Sequence, residues 1–310
     1  MSELVHIKTP FIRSHDLERF GGLEVWLKCE NMQITNSFKA RGAANAVRNL
    51  PENTKGVITH SSGNHGQALA WAAKRRGIPA IIVVPENAPQ VKIAAIQRHG
   101  ARIHFCAPGM KAREVAMHSL IEKNGYVFVP PYNHQDIIDG QSTCALEMLA
   151  EHPNLDVILV PVGGGGLLSG TLLACRDTSV TVYACEPSLA DDAYRSFQSG
   201  KIEDPGNPKT IADGLRTGLG DLTFGYMKAH VKDVLLVDEE EIHAAWAYAI
   251  HAQKLIIEPS CAVPMAALKR YAHLFENKRV GIIITGGNVD MDTLPKTSDM
   301  DAYLSEKNLP

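Results

Sequence analysis

The segment Asn36-Ser37-Phe38-Lys39-Ala40-Arg41-Gly42 carries an amine, and Ser61-Ser62-Gly63-Asn64-His65-Gly66-Gln67 carries hydroxyls, an amide and an imidazole in a glycine-broken loop. A lysine becomes a nucleophile toward an aldehyde once it sheds its proton, which burial or a cationic neighbour favours, and Arg41 stands two residues from Lys39. Alone, Ser37-Phe38-Lys39 reads as the solvated face of an amphipathic helix, where most charged side chains lie. Phe38, Ala43, Val47 and Leu50 recur at helical spacing, so a helix over 37–50 capped by Asn36 or Ser37 is expected.

Three further loops shift the weight toward chemistry. Val160-Pro161-Val162 runs into Gly163-Gly164-Gly165-Gly166 and then Leu167-Leu168-Ser169-Gly170. Without Cβ atoms, successive backbone N–H groups converge ahead of a helix N-terminus and suit a phosphate. The same strand, loop, helix and strand, followed by Glu186, also suggest a dinucleotide site, but the string is not GxGxxG and leaves Lys39 and the Ser62 loop unexplained. Thr285 ends Gly281-Ile282-Ile283-Ile284 and precedes Gly286-Gly287-Asn288, where its hydroxyl could meet a ring nitrogen or bond its own backbone. Hydroxyls and helix-start amides at Ser61 to Gly66 suit a small anion such as a carboxylate, or are a plain helix cap. Glu186, Asp191 and Asp192 fall within seven residues; they suit a hard divalent cation, although spacing alone favours a helix start.

These groups need elements to hold them. Val57–Thr59, Ala80–Val84, Arg102–Cys106, Tyr126–Val129, Val157–Val162, Val180–Cys185, Val234–Val237 and Val280–Thr285 read as strands, with Leu23–Lys28 ahead of them. Helical patterns cover Gly66–Arg76, Lys92–His99, Lys111–Lys123, Asp136–Glu151 and Glu240–Lys254. The alternation predicts an α/β protein with open, mostly parallel sheets and helices on both faces. Two sets of units imply a small domain over 53–129 inserted into a large one formed by 1–52 plus 130–310, with a cleft between them. Every motif above then falls at a strand's carboxyl end, where open sheets bind ligands.

Composition excludes other classes. With 310 residues, 45% apolar, 21% charged and a net charge of −3, the chain is globular and has no basic excess for nucleic acid. Six scattered cysteines without CxxC spacing read as reduced core residues, and the N-terminus shows no secretory pattern, so a cytoplasmic address is expected. Val157–Cys175 is uncharged, but Pro161 and four glycines rule it out as a membrane span.

Taken together, Ser37-Phe38-Lys39-Ala40-Arg41-Gly42-Ala43, Ser61 to Gln67, Gly163 to Gly166, Glu186-Pro187, Ile211-Ala212-Asp213-Gly214, Ile257-Glu258-Pro259 and Thr285 to Asn288 are specific. The chain resembles a fold-type II pyridoxal phosphate enzyme of the tryptophan synthase β-like type, in the serine racemase / serine-threonine dehydratase family, from Thr9-Pro10 to Asp290. The resemblance implies that Lys39 binds pyridoxal 5'-phosphate covalently, Phe38 flanks its ring, Asn64 bonds the ring hydroxyl, Gly163, Gly164, Gly165 and Gly166 hold the phosphate, and Thr285 faces the pyridine nitrogen. It implies that Ser62 lies opposite Lys39 across the substrate Cα, and that Ser61, Asn64, His65 and Arg113 contact the substrate carboxylate. It also implies a Mg2+ site, or one for Mn2+ or Ca2+, at Glu186, the Ala190 carbonyl and Asp192.

The activity implied is β-elimination of L-serine or L-threonine to a 2-oxo acid and ammonia. Serine racemisation is the runner-up, 3-hydroxyaspartate is an open substrate, and a catalytically silent amino-acid-binding protein is the non-enzymatic alternative. His65, where cysteine-forming relatives carry a second hydroxyl, argues against sulfide as nucleophile. A homodimer is expected by likeness, as is ATP as a possible effector, although nothing resembles a P-loop. No membrane partner is expected.

Overall fold

The computed structural model describes residues 6–20 and 24–305. Ten strands carry the fold: β1 (Phe11–Arg13), β2 (Glu24–Cys29), β3 (Val57–His60), β4 (Ala80–Pro85), β5 (Arg102–Cys106), β6 (Val127–Phe128), β7 (Val157–Pro161), β8 (Thr181–Pro187), β9 (Val234–Val237) and β10 (Arg279–Ile284). They form a six-stranded sheet in the order β1-β2-β10-β7-β8-β9 and a four-stranded sheet in the order β5-β4-β3-β6. All pairings are parallel except β1 with β2, where Phe11 faces Lys28.

Helices α1 (His15–Glu18), α2 (Lys39–Asn49), α3 (Asn64–Arg76), α4 (Gln90–Arg98), α5 (Met110–Asn124), α6 (Gln135–Glu151), α7 (Gly166–Cys175), α8 (Asp192–Ser199), α9 (Asp221–His230), α10 (Glu239–His251), α11 (Pro259–Arg270) and α12 (Asp301–Leu304) cover the sheets. Side chains alternate across each strand, and β7 shows the result. Val157 and Leu159 pack into a core with α10 and α11, whereas Ile158 and Val160 enter the opposite core with α6 and α7. Such double-sided burial explains the unbroken apolar runs, each fully buried Val or Ile contributing about 1.5–3 kcal/mol. The six cysteines are buried and free.

The expected strands are present with ends shifted by a residue or two, and Leu23 of the first lies outside the described residues. Strand β1 and helices α1, α9, α11 and α12 were not anticipated. At the N-terminus of α2 the expected cap is absent: the helix begins at Lys39 after Phe38, with no side-chain cap. Ser37 instead forms an isolated antiparallel bridge with Gly286, which draws the start of α2 against the end of β10. No described helix is long and apolar enough to cross a membrane.

Candidate active site

Lys39 opens α2 with its side chain half-buried, and its Nζ donates to the Pro131 carbonyl at 2.7 Å. Burial pushes its pKa down to about 8, so roughly a tenth of the amine is neutral at pH 7, far more than for an ordinary lysine. The cause is desolvation rather than Arg41. Residues two apart on a helix point to different faces, and the Arg41 guanidinium turns into the core to Glu30 and Glu147. The Lys39 ammonium lies 5.0 Å from the Phe38 ring centroid, so Phe38 borders the amine. The turn feeding this helix is strained: Thr35 and Asn36 take φ of 61° and 52°, a region that a β-branched residue avoids. Asn288 steadies it by donating Nδ2 to the Thr35 carbonyl at 2.8 Å, and Gly287 N donates to the Asn36 carbonyl at 2.9 Å.

Thr285 follows β10 directly, and its backbone carbonyl accepts from Phe38 N at 3.0 Å, so the hydroxyl and the amine share one frame. Its Oγ1 lies 3.2 Å from the Cys261 thiol. The tetraglycine loop follows β7, and its Gly165 has φ of +84°, a conformation that favours glycine. A Cβ on Gly164 would sit 2.5 Å from the Tyr132 ring, so only glycine admits that ring beside the loop. Thr223 Oγ1 fixes the loop by donating to the Gly164 carbonyl at 2.8 Å. Beyond it α7 presents first-turn amides that no intrahelical carbonyl can satisfy, the chemistry a phosphate needs.

On the facing sheet, β3 ends at His60 and α3 begins at Asn64. Ser61 Oγ accepts from Gly63 N at 3.3 Å, and Ser62 is half-buried with no protein hydrogen bond among the described residues. From the sequence, His65 is expected to contact the substrate carboxylate. Its ring is buried, its Nε2 lies 3.0 Å from the Val129 carbonyl, and burial pushes its pKa down to about 3. A neutral imidazole tied to a carbonyl attracts no carboxylate, so only the backbone amide of His65 is placed to contribute. Arg113, on α5, lies beside His60 and lowers that residue's pKa after burial, the larger cause. Its Nε is buried without a partner, and among the described residues it bonds nothing in the Ser61 to His65 loop.

Asn64 reaches across to the six-stranded sheet. Its Nδ2 lies 2.9 and 3.0 Å from the two Glu258 oxygens, and its Oδ1 accepts from Asn288 Nδ2 at 2.8 Å. Burial pushes the Glu258 carboxyl up to about 7, against the lowering effect of the Asn64 bond. Glu258 lies in a motif recognised in the sequence, but its partner is 194 residues away, and periodicity carries no trace of such a contact.

A second acidic group stands at the end of β8. Glu186 accepts from Ala193 N at 2.9 Å and Tyr194 N at 2.8 Å, capping α8 from outside. Asp192 opens that helix with Oδ2 buried and unpartnered, and burial pushes its pKa up to about 6. Burial drives Glu186 well above the carboxylate range too, and the nearby Arg195 bonds Asp191 instead. Two buried carboxyls and the neighbouring Ala190 carbonyl thus fit a hard cation that would compensate their charge. Among the described residues no cluster of three or more His, Cys, Asp or Glu side chains forms a metal set.

This geometry agrees with what the chain is similar to. A serine racemase from Dictyostelium discoideum is 46% identical over 297 residues, covering 93% of this chain and 92% of that protein. A beta-hydroxyaspartate dehydratase from Paracoccus denitrificans is 43% identical over 295 residues, covering 94% of each. The structure of maize serine racemase superposes with a TM-score of 0.90 at 40% identity, covering 96% of this chain and 93% of that one. Residues 3–286 match the family described as pyridoxal-phosphate dependent enzyme. With a half-buried lysine of lowered pKa, a glycine-rich loop ahead of a helix and a hydroxyl at the neighbouring strand end, the chain belongs to the pyridoxal-phosphate dependent enzymes of fold type II.

Proposed function

We propose that the protein is a pyridoxal phosphate-dependent ammonia-lyase that converts a β-hydroxy amino acid such as L-serine or L-threonine into a 2-oxo acid and ammonia. The observation that carries the reading is Lys39: a half-buried amine of pKa about 8, bonded among the described residues only to a neutral carbonyl. Pyridoxal phosphate, when bound, withdraws electrons from the substrate Cα and makes its proton acidic. Lys39 would hold the cofactor and then take that proton through Nζ. Gly163 to Gly166 would bind the phosphate, Asn64 the ring oxygen and Phe38 a ring edge. Thr285 would meet the ring nitrogen with a neutral hydroxyl, which favours prompt loss of the β-hydroxyl over a long-lived carbanion. Ser61 and the first amides of α3 would hold the substrate carboxylate, with Arg113 approaching as the unit of residues 53–129 closes on the remainder.

Racemisation is the second reading, supported by the unbonded hydroxyl of Ser62 and by the serine racemases among the relatives. Ser62 would exchange the Cα proton on the face opposite Lys39. The relative from Paracoccus makes 3-hydroxyaspartate a third substrate to test. Assays of L-serine, L-threonine and 3-hydroxyaspartate, each for 2-oxo acid and for inversion, separate these readings. Ser62→Ala is expected to lower racemisation by roughly 10²-fold or more while elimination of the L-isomer falls less than about tenfold. Equal losses would remove Ser62 from the opposite face.

Glu186, the Ala190 carbonyl and Asp192 would hold Mg2+, with Mn2+ or Ca2+ as alternatives, at the junction of β8 and α8. Magnesium at a hundredfold excess over its Kd is expected to stabilise the folded protein by about 2.7 kcal/mol. Asp192→Asn should abolish that gain in a thermal scan, and an unchanged gain would place the ion elsewhere. The same reading makes the enzyme a cytoplasmic homodimer with ATP as an effector, to be checked by light scattering and nucleotide titration.

A further inference from the structure

Asn64 starts a helix of the four-stranded layer, but everything that orients its amide belongs to the six-stranded layer. The orientation follows from one fixed point. The Thr35 carbonyl can only accept, so the Asn288 group 2.8 Å from it is its NH2. That NH2 also donates to Asn64, which makes the Asn64 atom there the oxygen and turns its nitrogen toward Glu258. The two Glu258 oxygens lie 2.9 and 3.0 Å from that one nitrogen. They subtend far less than the angle between an amide's two N–H bonds, so they share one hydrogen. The second hydrogen has no acceptor among the described residues. Glu258 is itself held by Asn288 N, which donates to its Oε1 at 3.0 Å, and it immediately precedes α11 without making a side-chain cap bond. Lys92 to Asp213 at 2.6 Å crosses between the same two layers at their exposed rim.

We propose that Glu258, seconded by Asn288, is a positioning residue that clamps Asn64 across the cleft, so that docking of the two layers and presentation of the Asn64 amide to the cofactor's ring oxygen are one event. The inference rests on the proposed contact between Asn64 and the ring. Above about pH 7, where Glu258 is mostly ionised, its carboxylate is a stronger acceptor than a neutral amide oxygen, and it fixes the amide without consuming its second donor. Without the clamp the side chain would rotate, and its remaining N–H would be spread over several directions. Much of the benefit of a preset donor would then be lost.

Affinity for pyridoxal phosphate, measured by fluorescence titration of the apoprotein, tests this in a double-mutant cycle. Glu258→Gln keeps the shape but turns an NH2 toward the Asn64 NH2, and it is expected to weaken cofactor binding about tenfold. Asn64→Ala should weaken it by at least as much, and the Glu258→Gln, Asn64→Ala double variant should lie within about twofold of Asn64→Ala alone. A purely structural Glu258 would weaken binding equally in both backgrounds, and that additive result overturns the proposal. Should Glu258→Gln fail to fold by circular dichroism, Asn288→Ala enters the same cycle with the same expectation. A wild-type apoprotein that binds no pyridoxal phosphate would instead defeat the proposed function, which the cycle leaves distinguishable.

Discussion

Lys39→Ala is expected to abolish the absorbance of covalently bound cofactor and to lower turnover by roughly 10³-fold or more, since in the proposed function one amine would serve as both anchor and base. The size of the effect follows from the site. Lys39 Nζ is bonded to the Pro131 carbonyl at 2.7 Å and pairs with no carboxylate among the described residues, so no ion pair holds its proton on. The pH dependence has a definite sign. Only the neutral amine attacks an aldehyde, and burial has lowered the pKa to about 8. Covalent capture of pyridoxal phosphate by the apoprotein should therefore rise about tenfold per pH unit below 8 and level off above it. Stopped-flow absorbance between about pH 6 and 9 checks this. A rate still climbing past pH 9 would mean that the amine keeps an ordinary lysine pKa. Retention of the cofactor band in Lys39→Ala would move the anchor to another residue.

The strands were legible because parallel strands buried on both faces leave near-continuous β-branched runs, as Val157 to Pro161 and Arg279 to Ile284 show. Strand β1 escaped because it has three residues, two of them exposed, at an antiparallel edge. Helix α11 escaped for a different reason: its residues 260–269 are all buried and Pro264 interrupts it, so no amphipathic period exists to detect. The glycine loop and Thr285 were legible as local chemistry at strand ends. The Asn64 clamp was not, because it joins residues from three distant segments and exists only once the sheets have docked. His65 marks the same limit, since its sequence neighbours cannot tell that its ring turns inward to Val129.

Arg41 is the residue whose role the structure changes most, and its removal carries the largest expected loss of stability. Its Nε and Nη2 donate to Glu30 at 2.7 and 2.8 Å, while Nη1 and Nη2 donate to Glu147 at 2.7 and 2.8 Å. Thr143 Oγ1 accepts from Nη1 at 3.1 Å and Thr9 Oγ1 from Nη2 at 3.3 Å, so a fully buried guanidinium finds acceptors for each of its nitrogens. Burial opposes its charge, yet the bonds to Glu30 and Glu147 hold its pKa above the usual arginine value. Lys28, also buried, pairs with Glu147 at 2.7 Å, which leaves Glu30 with Arg41 as its sole cationic partner among the described salt bridges. Arg41→Ala would strand the Glu30 carboxylate in the core and is expected to cost about 3–5 kcal/mol. Adding Glu30→Gln removes the stranded charge, so the double variant should recover part of that loss despite carrying two substitutions. Urea unfolding of the apoproteins measures both. A cost under about 1 kcal/mol for Arg41→Ala would show that the cluster is wet rather than dry. The consequence reaches the chemistry through geometry alone: Arg41 lies one half-turn after Lys39 on α2, and its two carboxylates tie that helix to the residue after β2 and to α6. Loosening them should slow covalent cofactor capture in Arg41→Ala while leaving its pH midpoint near 8, because the desolvation of Lys39 does not depend on the guanidinium.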